Sequence, residues 1–150
     1  MNGEPITILL VEDEPAHAEI VRRNLENARV ANRLFWVADG QAALDYLRHE
    51  GAYTDPAQAP TPGLILLDLR LPKIDGLEVL NTIKSDAYLG LIPVVIMTTS
   101  SAETDIARAY HSHANSYVTK PLDHTQFSAL LDSLGYYWLM WNRPPYSTLA

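Results

Sequence analysis

The sequence predicts an α/β fold, a doubly wound five-stranded parallel sheet with helices on both faces. Short apolar runs alternate along the chain with segments of helical period, which is the order of repeated βα units. Four of these runs end on polar side chains, and the carboxyl ends of parallel strands meet at one edge of a sheet. We therefore expect five βα units, joined by right-handed crossovers, with the polar residues gathered at one rim.

The first two units occupy the amino-terminal third of the chain. The first predicted strand runs from Ile6 to Val11, and Pro15 opens the helix that follows. The second strand, Leu34 to Ala38, leads into a helix that we expect Gly51 to end. Apolar positions recur at helical spacing in both helices. They are Ile20, Val21, Leu25 and Ala28, then Ala43, Leu44 and Leu47.

The third and fourth units follow a proline-rich segment. Residues 52–62 hold three of the ten prolines, so we predict a surface loop at the sheet end opposite the polar rim. The run 63–67 forms the third strand, and the turn 71–76 feeds a helix. That helix carries Leu77, Leu80 and Ile83. Pro93 stands near the start of the fourth strand, Ile92 to Met97, where a missing N–H is tolerated.

The last units carry the clearest helix signal. Ser101 is predicted to cap the fourth helix, and residues 116–118 form the fifth strand. Asp123 is the predicted N-cap of a fifth helix, with Gln126 three residues later and Gly135 just beyond its end. The apolar positions are Ile106, Ala109 and Tyr110 in the fourth helix, then Phe127, Leu130, Leu131 and Leu134 in the fifth.

Composition limits the classes of function. At 150 residues, 47% of them hydrophobic, the chain can bury one good core. The sequence has no Cys, so disulfides and thiolate metal sites are excluded. A net charge of -7 disfavours nucleic acid and anionic membranes as partners. No apolar stretch approaches the roughly 18 residues of a membrane span, and no secretory signal is present, so we expect a soluble cytoplasmic protein.

The polar strand ends suggest phosphoryl chemistry. Asp68 follows the third strand, the pair Glu12 and Asp13 follows the first, and Thr98 and Lys120 follow the fourth and fifth. A carboxylate is a weak nucleophile, but it can attack a phosphoryl group when a divalent cation screens the charge. A cation and a hydroxyl donor then stabilise the charge that spreads over the phosphoryl oxygens. The predicted product is an aspartyl phosphate on Asp68.

The acids also predict a metal site. Mg²⁺, with Mn²⁺ as an alternative, prefers oxygen ligands such as carboxylates, carbonyls and water. Asp13 and Asp68 suit direct ligation, and Glu12 suits holding a metal-bound water. The backbone carbonyl of Arg70 is a reasonable further ligand. Each acid also has a purely structural interpretation, as a turn residue or as an acid at a helix amino terminus.

The ordered set of residues resembles the CheY-like receiver domain of two-component response regulators, from about Ile6 to Gly135. The matching parts are Val11-Glu12-Asp13-Glu14, Asp68, Pro72 with Asp75-Gly76, Thr98, Tyr117 and Lys120-Pro121. The resemblance implies a flavodoxin-like strand order of 2-1-3-4-5 and a cis bond at Lys120-Pro121. Glu12 stands where Asp is more usual in the family, a change that leaves metal binding intact.

The resemblance also implies a role for each site residue. Asp68 is the phosphoacceptor, Glu12 and Asp13 are metal acids, Lys120 binds phosphate, Thr98 is the switch hydroxyl and Tyr117 the switch aromatic. Such a protein is not an enzyme acting on other molecules; it catalyses only its own phosphorylation and dephosphorylation. Arg70 and Ser100 are predicted to flank the route of attacking water and so to set the phosphate lifetime. His17, His111 and His113 are predicted to be solvated.

The expected partner is a sensor histidine kinase, with a further unknown protein downstream. The long loop before the third strand, the run 85–93 and the aromatic tail look like the small response regulators paired with bacterial phytochrome histidine kinases. That resemblance implies a red-light sensor as the phosphoryl donor.

The chain is predicted to divide into a receiver domain, 1–135, and an apolar tail, 136–150, which is too short to be a separate output domain. The start of the tail is too apolar to lie in water. It reads Tyr136, Tyr137, Trp138, Leu139, Met140 and Trp141. Two alternatives stay open: the tail packs on its own domain, or it forms an interface with a second copy or with the kinase.

Two other classes use a similar layout. A haloacid dehalogenase phosphatase also has an Asp nucleophile with Mg²⁺, but it expects a second Asp two residues later, where this chain has Arg70. A flavin-binding electron carrier needs hydroxyls and glycines after the first strand to bind phosphate. The acids at 12–14 would instead repel phosphate in the absence of a metal.

Overall fold

The computed structural model describes residues 5–27, 31–99, 102–120, 123, 125–126, 128–129 and 132–133. Five parallel strands form one sheet in the order β2-β1-β3-β4-β5, so the predicted strand order is confirmed. The strands are β1 (Ile6–Val11), β2 (Asn32–Val37), β3 (Leu64–Leu67), β4 (Val94–Thr98) and β5 (Ser116–Thr119).

Helices connect successive strands, as the alternating pattern predicts. They are α1 (Pro15–Glu26), α2 (Gly40–Arg48), α3 (Gly76–Ser85) and α4 (Glu103–His111), with short 3₁₀ turns at Gly51–Tyr53 and Leu89–Leu91. Residues 125–126, 128–129 and 132–133 are helical as well. The side chain of Asp123 accepts hydrogen bonds from the amides of Thr125 and Gln126, which confirms its role as an N-cap. The predicted apolar face of that helix (Phe127, Leu130, Leu131, Leu134) and Gly135 lie outside the described residues.

Both faces of the sheet are covered, because side chains alternate between the faces along each strand. On one face, Leu9, Ile65 and Ile96 pack with apolar residues of α2, α3 and α4. On the other, Ile8 and Leu66 pack with apolar residues of α1. The central strands are therefore buried on both sides, and functional groups are accessible only at the strand ends.

Two predicted helix limits are wrong. The second helix ends at Arg48 and not at Gly51, because His49 takes the left-handed conformation (φ 56°) that commonly terminates helices. The ring of His49 forms a hydrogen bond with the carbonyl oxygen of Ala59 at 2.8 Å. Gly51, also left-handed, begins the 3₁₀ turn instead.

The fourth helix also differs from its prediction. Ala102 occupies the N-cap position and makes no side-chain cap, while Ser101 lies outside the described residues. Tyr110, predicted on the apolar face, is 49% exposed, and its hydroxyl oxygen accepts a hydrogen bond from the amide of Tyr117 at 3.2 Å. Ala109 of the same helix is fully buried, as predicted.

The segment 52–62 lies at the amino end of the sheet, as predicted. The hydroxyl of Tyr46 donates to the carbonyl of Pro60 at 2.8 Å, and the amide of Gly63 donates to the carbonyl of Thr7 at 2.8 Å. The loop is thus anchored away from the polar rim. Among the described residues, no helix is long and apolar enough to cross a membrane.

Candidate functional site

The polar strand ends meet at the carboxyl edge of the sheet. Val11 is in register with Leu67, and Leu67 with Ile96, so the carboxyl ends of β1, β3 and β4 lie side by side. The amide of Asp68 donates to the carbonyl of Val11 at 3.0 Å, which places Asp68 directly beside the end of β1. Glu12, Asp68, Thr98 and Lys120 are all buried, which is unusual for such side chains unless they are paired.

The centre of the site is the ammonium of Lys120, whose side chain is only 1% exposed. It donates to Oε1 of Glu12, to Oδ2 of Asp68 at 2.9 Å, and to Nδ1 of His17 at 3.1 Å. An ammonium group has three protons and no lone pair, so the ring nitrogen of His17 must accept. Each proton has an acceptor, which is the condition under which a charge can be buried.

Three carboxylates cluster at this edge of the sheet. One oxygen each from Glu12, Asp13 and Asp68 lies within 4.8 Å of the others, and Asp13 is the exposed member of the group. The prediction that these acids converge is therefore confirmed. A set of oxygen donors open to solvent on one side suits a hard divalent cation such as Mg²⁺ or Mn²⁺. One lysine does not balance three acids, so the charge of the site also favours a cation.

The electrostatics of Glu12 reflect its burial. Removal from water raises the pKa of Glu12 from its ordinary value to about 7, and the charge of Asp68 adds to the rise. The hydrogen bond and charge of Lys120 oppose the rise, as does the amide of Glu14, which donates to Oε2 of Glu12 at 3.1 Å. Burial therefore favours the protonated form of Glu12 in the metal-free site more than water does.

Asp68 is held by the turn that follows it. The amide of Arg70 donates to Oδ1 of Asp68 at 3.1 Å, so both carboxylate oxygens have a donor. The start of α3 packs closely here, since a Cβ on Gly76 would lie 2.2 Å from the carbonyl oxygen of Asp68. Only glycine fits at that position, and it fixes the backbone of the candidate nucleophile.

Thr98 and Tyr117 occupy neighbouring strands. Thr98 is fully buried at the end of β4 and in register with Thr119, which directly precedes Lys120. Tyr117 is half-buried, in register with Ile96, and packs against the core on the α3 and α4 face. The switch roles of both residues stay predictions, as does the role of the Arg70 carbonyl as a metal ligand.

The prediction for His17 is wrong. Its ring bonds Lys120 and lies 3.9 Å from Oε2 of Glu12, with about a quarter of the side chain exposed. The available signal was its position in the first turn of α1, which starts at Pro15, shortly after the acid pair. His111 and His113 are exposed, as predicted.

Sequence reasoning also missed two supporting residues. The indole N–H of Trp36 donates to the carbonyl of Glu12 at 2.7 Å. The guanidinium of Arg70 donates to Asp105 of α4 at 2.7 Å, and Asp105 is buried. Arg70 and Asp105 are 35 positions apart, and no sequence pattern connects them. Ser100, Pro121 and the predicted tail interface, residues 136–141, lie outside the described residues.

The fold and the acid site together define the chain as a receiver domain. Residues 8–132 match the response regulator receiver domain, and the chain belongs to that family. This match does not support the phosphatase alternative.

Individual relatives extend the match over almost the whole chain. The chain is 48% identical to the probable methanogenesis regulatory protein FilR2 of Methanothrix harundinacea, covering 95% of this chain and 89% of the relative. Its fold is similar to that of the phosphorylated cyanobacterial phytochrome response regulator RcpA, with a TM-score of 0.89 and 42% identity. The match covers 95% of this chain and 99% of the RcpA chain. The Mn²⁺-bound form of response regulator Rcp1, a Synechocystis protein, gives a TM-score of 0.89 and 39% identity. The match covers 94% of this chain and 99% of the Rcp1 chain.

Proposed function

We propose that Asp68 accepts a phosphoryl group from a sensor histidine kinase in the cytoplasm, and that this chain signals through the phosphorylated form. The observation that carries the proposal is the buried Lys120 ammonium, which bonds Asp68 and Glu12 beside a cluster of three acids. A structural ion pair needs one partner for one charge. An excess of acids around a single lysine suits a site that binds further cations and a phosphoryl group.

The transfer requires Asp68 as the nucleophile. A carboxylate oxygen of Asp68 attacks phosphorus, the bond from phosphorus to the donor's imidazole nitrogen breaks, and its electron pair stays on that nitrogen. Asp13, Asp68 and the Arg70 carbonyl would hold a Mg²⁺ or Mn²⁺ ion, with Glu12 holding a metal-bound water, and the ion would supply positive charge to the transferring group when bound.

The residues around Asp68 stabilise the product. Lys120 already bonds Oδ2 of Asp68, so it needs only a small shift to donate to a phosphoryl oxygen. Thr98 supplies a hydroxyl donor from β4, and Tyr117 on the neighbouring strand follows its movement. The protein thereby catalyses its own phosphorylation and dephosphorylation, without acting on a separate substrate.

The test is incubation with acetyl phosphate and Mg²⁺, followed by intact-mass measurement and peptide mapping. We expect the mass of one phosphoryl group on Asp68, and no adduct when EDTA removes the metal. Steady release of inorganic phosphate without an adduct, or an adduct on another residue, would contradict the proposal.

We further propose a phytochrome kinase as the donor. The similarity to RcpA over 99% of that chain supports this donor, while FilR2, at 48% identity, carries a name from methanogenesis. Phosphotransfer from a purified phytochrome histidine kinase should have a higher kcat/KM than transfer from a histidine kinase without a phytochrome module. Equal or reversed values would assign the chain to another input.

The tail, 136–150, is proposed as a homodimer contact on the strength of its apolar sequence alone. Sedimentation equilibrium should give a dimer for the full chain and a monomer once these residues are deleted. The same number of subunits in both proteins would assign the tail to packing within one chain.

A further inference from the structure

Arg70 connects the candidate phosphorylation site to helix α4. Its backbone amide donates to Oδ1 of Asp68 at 3.1 Å, and its guanidinium Nη2 donates to Oδ2 of Asp105 at 2.7 Å. One residue therefore contacts both the candidate nucleophile and the first turns of the helix that follows β4. The contact spans two separate βα units.

The two partners of this ion pair differ in exposure. The Asp105 side chain is 8% exposed and belongs to a helix, so it cannot move far without α4. The Arg70 side chain is 67% exposed and is carried on a turn. An arginine stem has several rotatable bonds, so the guanidinium can change partners while the backbone of Arg70 stays in place.

Phosphorylation would offer Arg70 a second acceptor. A phosphoryl group adds about one further negative charge to the Asp68 carboxylate and brings three acceptor oxygens. Because the amide of Arg70 already touches Asp68, the guanidinium lies within reach of that group. The planar fork of arginine matches phosphate oxygens in a bidentate arrangement, and phosphate then competes with Asp105.

We infer that Asp105 is a positioning residue that holds the Arg70 guanidinium on α4 and loses it to the phosphoryl group. The inference rests on the proposed function of Asp68. Coupling between two sites is reciprocal. If phosphorylation detaches Arg70 from Asp105, then removing the charge of Asp105 must favour the phosphorylated form.

Beryllofluoride with Mg²⁺ tests this inference at equilibrium, since it mimics a phosphoryl group without a covalent step. We expect Asp105→Asn to bind beryllofluoride about fivefold more tightly than the wild type, as measured by calorimetry. The same substitution should have no effect in an Arg70→Ala background, and Arg70→Lys should restore part of it. Glu78→Gln, which removes one exposed charge from α3, is the matched control and should bind like the wild type.

Two results would overturn the inference. One is unchanged affinity in Asp105→Asn; the other is an equal change with and without Arg70, which would mean that Asp105 acts through helix stability alone. Hydrogen exchange gives a second readout: α4 amides of the wild type should exchange faster with beryllofluoride, and those of Arg70→Ala should not respond. A wild type that binds no beryllofluoride and forms no adduct on Asp68 would instead refute the proposed function.

Discussion

Two lysines hold opposite ends of the sheet, and their partners differ in charge. Lys120, at the carboxyl edge, donates to Glu12, Asp68 and His17. Lys84 of α3, at the amino edge, donates to the carbonyls of Gly90 and Ile92 at 3.1 and 2.7 Å and to the side-chain oxygen of Asn115 at 3.3 Å. Both ammonium groups have three acceptors, but only Lys120 bonds to anions.

The charge of the acceptors separates a structural lysine from a functional one. Burial lowers the pKa of Lys84, and the three oxygens that accept from it are neutral. Lys84 therefore has a structural role, which is to hold the segment before β4 against α3. Lys120 lies among acids that outnumber it, so a cation or a phosphoryl group can enter and rearrange its partners. Counting hydrogen bonds alone would not distinguish the two sites.

Replacing the nucleophile should produce the largest effect at the carboxyl edge. Asp68→Asn should abolish phosphorylation by acetyl phosphate, because an amide oxygen cannot form the acyl phosphate, while circular dichroism shows an intact fold. Asp55→Asn, in the loop at the amino end, is the matched control and should be phosphorylated normally. Phosphorylation of Asp68→Asn at another residue would mean that the nucleophile is wrongly assigned.

The next largest effect should come from Lys120. Lys120→Met should slow phosphorylation by about a hundredfold, because the buried donor that stabilises the phosphoryl oxygens is lost. The rate of adduct formation at saturating acetyl phosphate and Mg²⁺ measures this. A decrease in this rate of less than about threefold would mean that Lys120, like Lys84, has only a structural role.

The raised pKa of Glu12 should make stability depend on pH. A folded-state pKa of about 7 against an ordinary value of 4.5 means that the folded state binds an extra proton between these values. The free energy of unfolding should therefore fall by up to about 3 kcal/mol as pH rises from 4.5 to 7 in metal-free buffer. Urea unfolding at several pH values measures the fall, and Glu12→Gln should remove that part of it. Identical slopes in the two proteins would contradict the assignment.

Lys84→Met should affect stability and not chemistry. Two backbone carbonyls and the Asn115 side chain lose a charged donor, which should lower the free energy of unfolding by about 2 kcal/mol. The phosphorylation rate should stay at the wild-type value. A slower rate in the folded variant would show that the amino edge is coupled to the site.

His17 should have the smallest effect. His17→Leu removes the neutral acceptor that helps to orient Lys120 and should slow phosphorylation about threefold, the scale of one hydrogen bond. His17→Asn places an amide oxygen near the position of Nδ1 and should retain most of the rate. A wild-type rate in His17→Leu would mean that the contact between His17 and Lys120 does not matter.

The site was predictable because its residues mark strand ends. Apolar runs that stop at Asp68, Thr98 or the pair beginning with Glu12 can be read from the sequence, and parallel pairing brings those ends together. The apolar periodicity of the helices identified most of the buried apolar residues in the described parts of α1 to α4.

Contacts between units were not predictable. His17 could face Lys120 or solvent with the same sequence, because the choice depends on how α1 is rotated against the sheet. The pairing of Arg70 with Asp105 depends on the placement of α4, and the ring of His49, at the end of α2, bonds Ala59 ten positions away. These features arise from tertiary packing, which overrides local preference.

The fluorescence of Trp36 can report on the acid site. Its N–H is bonded to the carbonyl of Glu12, while the ring, on the edge strand β2, is 47% exposed. Any shift of Glu12 changes the polarity around the fluorophore. With the other two tryptophans, Trp138 and Trp141, replaced by phenylalanine, the emission of Trp36 would report occupancy of the acid cluster without an attached dye.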